Sequence, residues 1–130
     1  HDSYLSGHPP IRSMADLRGH RIIGYIPDMI FDRELDYLAE TGVEVAQLAS
    51  NSVSVQMNMI RVGAGVGVAH GFAIPSAPGV RPILAEALTL RRTFWLVRHA
   101  DDRRSERLST VAEALAQGLR REVARLEALL

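Results

Sequence analysis

The chain has 130 residues, 15 basic against 15 acidic side chains, no cysteine, and 47% of its residues in the hydrophobic set. That is one domain's length, with too much apolar content and too little net charge for a disordered chain. The missing cysteine excludes disulfides, thiolate zinc sites, iron–sulfur clusters and a cysteine nucleophile, and the zero formal charge supplies no long-range field for DNA, RNA or anionic lipid.

Every basic residue is Arg, which reads as coding bias. No apolar run approaches the ~20 residues a membrane-spanning helix needs. His1 opens the chain with neither an initiator Met nor a basic segment leading into an apolar one, the expectation for a piece of something longer rather than a secreted precursor.

Residues 1–19 are punctuated by Gly7, His8-Pro9-Pro10 and Gly19, with one short helix expected at Ser13–Leu17, where Ser13 and Asp16 form a start signal. His20–Ile26 is rich in β-formers and closed by Pro27, a strand. Phe31–Glu40 places Leu35, Leu38 and Ala39 at helical spacing behind Asp32 and stops at Gly42, a helix. Val43–Leu48 is the next strand, and strand, helix, strand makes a parallel βαβ unit. Ser50-Asn51-Ser52 stands before a second helix, Val53–Val62, with Val55, Met59 and Val62 on one face.

Gly63-Ala64-Gly65-Val66-Gly67 then turns into a third strand, Val66–His70. Ile74–Gly79, with Pro75 and Pro78, is expected as loop; Val80–Leu84 and Leu90–His99 are expected as two more strands, the second on the strength of Phe94, Trp95 and Val97. From Arg103 to Leu130, Leu108, Val111, Leu115, Leu119, Val123, Leu126 and Leu130 recur at steps of three and four, with Arg and Glu between them. This predicts a long amphipathic helix, too long for so small a domain unless its apolar stripe meets another surface.

The glycine run is not a dinucleotide fingerprint. It follows a helix and precedes a strand, where the fingerprint needs the reverse, so a helix end and tight turn is the better reading. A chain without Lys has no P-loop lysine. The histidines His1, His8, His20, His70 and His99 never fall at metal-ligand spacing, and no G-x-S-x-G elbow places a serine nucleophile. Arg91-Arg92 and Arg103-Arg104-Arg107 could form a phosphate-binding surface, but Asp101, Asp102 and Glu106 interleave with the second group, so a solvated, salt-bridged face is the better reading, and no helix-turn-helix pair is present.

Geometry is more informative. Ligands of open parallel sheets settle beyond the carboxyl ends of the strands, which here are Tyr25-Ile26, Ser50-Asn51-Ser52 and His70. The middle group also stands at a helix N-terminus, where free N–H groups favour a carboxylate. Those three side chains either cap the helix alone or also meet a ligand.

The order of signals carries a resemblance. Tyr4-Leu5, Gly7 and Pro9, then Asp16-Leu17, His20 and Ile23, then Gly63 to Ala69, then Phe94-Trp95-Leu96-Val97 before a terminal helix, resembles the effector-binding domain of LysR-type transcriptional regulators over about the whole chain. The resemblance implies an α/β, periplasmic-binding-protein-like (type 2) subdomain with a mainly parallel sheet flanked by helices, plus a long C-terminal amphipathic helix. Residues 1–99 would be the second of two subdomains, and residues 100–130 the helix that packs on the first, which these residues lack.

The same resemblance implies a small, anionic effector held between subdomains by Tyr25, Ile26, Asn51 and Ser52, with Ser50 beside them. His70 stands where the family usually has a Leu-Pro, a departure that leaves the pocket edge open. No cofactor, metal or catalytic residue is implied. A homo-oligomer is, through Asp32–Glu40 and Val43–Leu48 in the family, and for this chain a dimer is expected, through the exposed face of the terminal helix or by exchange of that helix between chains. DNA would be met only through an N-terminal domain outside these residues, in a bacterial cytoplasm with no membrane contact. The rival class is a solute-binding protein of a transport system with the same fold; an enzyme would need a cofactor or nucleophile that the sequence does not display.

Overall fold

The computed structural model describes residues 1–30 and 37–130. In chain order these form α1 (Asp2–Leu5), a 3-10 turn (Met14–Gly19), β1 (Ile22–Gly24), a 3-10 turn (Pro27–Met29), α2 (Leu38–Thr41), β2 (Leu48–Ala49), α3 (Val53–Arg61), β3 (Val66–Gly67), 3-10 segments at Gly71–Ser76 and Ala100–Arg104, and α4 (Glu106–Glu127).

The strands make one three-stranded sheet in the order β2-β1-β3. Both pairings are parallel, with Ile23 opposite Leu48 and Gly67, Gly24 opposite Ala49, and Ile22 opposite Val66. β1 is central and buried at every residue, as a strand covered on both faces must be. The Gln47 side chain reinforces the register of the edge strand by accepting the Ile22 N–H at 2.7 Å.

The glycine run has a steric origin. Gly63, just past the end of α3, takes φ +71, a left-handed conformation that disfavours a Cβ, and the Ala64 N–H closes the helix by donating to the Met59 carbonyl at 2.9 Å. At Gly65 a side chain would collide with the Arg21 carbonyl, because β3 enters the sheet directly beside β1. The motif is thus a helix stop followed by a close strand approach, as the sequence order indicated.

The core consists of Tyr4, Leu17, Ile22, Tyr37, Leu38, Val43 and Val66, with Ile23 wholly enclosed at 0% exposure. α1 is tied into it by Tyr4, whose ring stacks on His8 at 3.9 Å between centroids and whose hydroxyl accepts the Arg21 N–H at 2.8 Å. Asp16 sets the Met14–Gly19 turn. Its Oδ2 accepts from the backbone N–H groups of Arg12 and Ser13 and from the Ser13 hydroxyl, at 2.8 to 3.0 Å, and these bonds hold its carboxyl below the usual carboxylate range.

Several expected elements differ. The strand expected over Val43–Leu48 is found at its C-terminal end, Leu48–Ala49, and those over His20–Ile26 and Val66–His70 shorten to Ile22–Gly24 and Val66–Gly67, because the ladder extends only where backbones run side by side. Most of the helix expected over Phe31–Glu40 lies outside the described residues; Leu38–Thr41 is helical and ends at Gly42 with φ +70. Gly71–Ser76 is 3-10 and overlaps the expected loop.

Val80–Leu84 and Leu90–His99 are not strands. Pro82 removes a donor, Leu84 takes φ +53 and the chain turns there, with Ala87 and Leu88 N–H groups donating to the Leu84 carbonyl at 2.9 Å. Phe94, Trp95 and Val97 have strand propensity but pair with no strand among the described residues, and stay 71%, 82% and 83% exposed. The terminal helix begins at Glu106, after Ser105, whose hydroxyl accepts the Leu108 N–H at 3.4 Å. At 1.5 Å per residue it is about 33 Å long.

Candidate functional site

The sheet's carboxyl edge brings together most of the residues that the strand-end rule selects. Tyr25 and Ile26 leave β1; Ser50, Asn51 and Ser52 leave β2 and lead into α3. The two exits are tied to each other: the Ser50 N–H donates to the Gly24 carbonyl at 3.0 Å, and the Ile26 N–H donates to Asn51 Oδ1 at 3.2 Å. Asn51 Nδ2 donates in turn to the Met29 carbonyl at 3.4 Å, closing the Pro27–Met29 turn over the edge.

Ser50 and Ser52 act as acceptors inside the chain. The Ser52 N–H donates to Ser50 Oγ at 3.1 Å, and Ser52 Oγ takes the Val55 N–H at 3.4 Å, the N-cap of α3. Both hydroxyl hydrogens then remain as donors, as does the second hydrogen of Asn51 Nδ2. α3 starts at this edge, and the first N–H groups of a helix have no partner within it. Hydroxyl and amide donors at a helix start suit an acceptor-rich group, and Asp28 stands in the turn that Asn51 closes beside them.

Two further residues stand beneath this edge. Gln56 on α3, buried at 3% exposure, donates from Nε2 to the Ser50 carbonyl at 2.6 Å and accepts the Tyr37 hydroxyl on Oε1 at 3.0 Å. Tyr37 lies edge-on to Tyr25 at 5.7 Å, and burial raises its phenol well above the usual tyrosine range. Sequence reading passed over both: Tyr37 resembled another apolar helix residue, and Gln56 a polar position on a helix whose apolar face it shares. The available signal was Gln56 falling within a turn of Ile60, on the buried side of α3.

His70 is placed differently. Its ring lies parallel to Phe72 at 5.1 Å and tilted to Phe94 at 5.3 Å, in an aromatic group on the far side of β3 from β2 in the sheet order. Partial burial first, and the Arg92 charge second, lower its pKa, so the neutral imidazole is favoured. A half-open cavity of about 500 Å³ also lies against the sheet, lined among others by Ile22, Val66, Val68, Leu17 and Leu38. Tyr37 borders it, whereas Tyr25, Asn51, Ser52 and His70 do not.

Among the described residues no group of three or more His, Asp or Glu side chains is arranged to hold a metal ion, and no helix is long and apolar enough to cross a membrane. Compared with known families, residues 1–120 match the one described as the LysR substrate binding domain. No curated protein and no solved structure matches the chain.

Proposed function

The chain belongs to the LysR substrate-binding domain family, whose fold is periplasmic-binding-protein-like and whose members are regulators that bind effectors, and we infer that it is the ligand-sensing and oligomerising portion of a LysR-type transcriptional regulator. Residues 1–99 serve as one subdomain and residues 100–130 as the helix that packs on the other, which is supplied, like the DNA-binding domain, outside these residues. The regulator works in the cytoplasm, and the rival transport-receptor reading shares the fold without the family match.

The observation that carries the site is the meeting of two strand exits at the sheet's carboxyl edge, where Asn51 holds the Ile26 N–H and Ser50 and Ser52 accept N–H groups at the start of α3, which leaves their hydroxyls and the Asn51 amide able to donate to a ligand. An effector carboxylate would accept these bonds, with Tyr25 and Ile26 as the wall beside it. His70 belongs to this site only if the bound effector reaches past β1 to β3. Closure of two subdomains on the effector would shift an oligomer between states, with a coupling on the order of 1–3 kcal/mol.

The test is a titration of the full regulator with a panel of small carboxylates, read by promoter response. Ser52→Ala and Asn51→Ala combined should abolish the response while DNA binding without effector persists. An unchanged response in the double variant would remove the site assignment.

A further inference from the structure

Three side chains and one backbone carbonyl form a continuous arc behind the sheet's carboxyl edge. Tyr25, on the exit of β1, lies edge-on to Tyr37 at 5.7 Å; the Tyr37 hydroxyl donates to Gln56 Oε1 at 3.0 Å; and Gln56 Nε2 donates to the Ser50 carbonyl at 2.6 Å. Tyr37 and Gln56 are buried, at 7% and 3% exposure, so neither bond is open to replacement by water. Each end belongs to a different element. Tyr37 is the residue from which α2 starts, and Ser50 is the first residue of the loop that carries Asn51 and Ser52.

We propose that Tyr37 and Gln56 are positioning residues that couple the placement of α2 to the conformation of the Ser50–Ser52 loop. The proposal rests on the reading of that loop as the effector site and adds how the site is regulated. An effector that fixes Ser50 to Ser52 thereby fixes Gln56, Tyr37 and the start of α2; a partner that moves α2 withdraws the Tyr37 hydroxyl and releases the Ser50 carbonyl.

The chemistry of Gln56 makes the link directional at both ends. A carboxamide offers an acceptor to the tyrosine and a donor to the carbonyl at once, which Glu cannot do when ionised and Met cannot do at all. Tyr37 has two contacts toward the loop, its ring on Tyr25 and its hydroxyl on Gln56, and only the second is lost when the hydroxyl alone is removed.

The experiment needs no ligand, so its outcome is independent of whether the effector assignment holds. Amide hydrogen exchange is followed at Ser50, whose N–H is held by Gly24, and at Ile26, whose N–H is held by Asn51. Tyr37→Phe, which removes one oxygen, should speed exchange at both by about fivefold, the order expected for loss of one buried hydrogen bond. In a Gln56→Met background the same Tyr37→Phe change should add nothing at these amides. No acceleration in Tyr37→Phe, or an equal acceleration with and without Gln56, overturns the proposal. Should Gln56→Met fail to fold, the response of Ser50 and Ile26 to Tyr37→Phe alone decides it.

Discussion

The two parts of this chain handle apolar residues in opposite ways. Up to Ala77 the chain buries Tyr4, Leu17, Ile22, Ile23, Tyr37, Leu38, Val43, Ile60 and Val66 around a short parallel sheet. Beyond it no described residue is buried: Phe94 to Val97 run extended in solvent, and α4 turns Leu108, Val111, Leu115 and Leu119 outward. Composition does not separate the parts, since both are rich in Leu and Val. The first closes around its own sheet, while the second sets α4 against the Gly71–Ser76 segment, with Glu127 and Leu130 beside Gly71, and leaves much of its helix stripe and the β-prone segment exposed.

The largest expected effect follows from the first part. Ile23 is wholly enclosed on the central strand, so Ile23→Ala should cost about 2–5 kcal/mol in urea unfolding, a large share of a small domain's stability. A cost below 1 kcal/mol would mean that the sheet is not the stable unit.

In the second part the equivalent change should act on assembly instead. If two copies bury the α4 stripe, Leu115→Asp should weaken dimerisation by roughly thirtyfold, about 2 kcal/mol, while leaving the unfolding of the monomer nearly unmoved. Light scattering at high micromolar concentration checks this. A clean monomer before mutation would show that the stripe awaits a different surface.

A pair of serine caps sharpens the same contrast. Ser52 and Ser105 each accept a first-turn N–H at 3.4 Å, so the bonds themselves are alike. Ser52→Ala should lower global stability by about 1 kcal/mol, because α3 packs on β1 and β3 through buried Ile60 and Gln56. Ser105→Ala should fray the first turn of α4, visible as lost helical circular dichroism, with the unfolding midpoint of the sheet little changed. Equal shifts of that midpoint would show that α4 folds with the sheet as one unit.

What the sequence made legible follows the same division. α3 and the glycine turn were readable because their signals are local: three capping side chains before Val53 and a left-handed glycine after Val62. The parallel βαβ order was readable for the same reason. The strand over Leu90–His99 was misread because β propensity reports a side chain's fit to a sheet and says nothing of whether a neighbouring strand exists. At the candidate site, Tyr25, Ser50, Asn51 and Ser52 could be selected from strand ends alone. Tyr37 and Gln56 could not, since their bond joins residues 19 apart in sequence and only the fold puts a phenol against that carboxamide.

The smallest expected effect lies at one of the contacts between the two parts, His70, whose ring meets Phe94 of the exposed segment. Burial and the Arg92 charge depress its pKa, so the folded chain holds the proton less tightly than the unfolded chain, where imidazole titrates near about 6.5. Above that pH His70 is neutral in both states and its contribution is fully present. As the pH falls through about 6.5 the unfolded chain takes up the proton first, and stability declines until the folded imidazole titrates as well. His70→Gln keeps a polar, uncharged side chain and should flatten that decline between roughly pH 7 and 5, with His1, His8, His20 and His99 still present as the common background. The fluorescence of Trp95, next to Phe94, gives the local readout. If acid loosens the aromatic contact through His70, the tryptophan signal should shift over the same pH range in the native chain and not in His70→Gln; matching pH profiles in the two would show that His70 does not join the two regions.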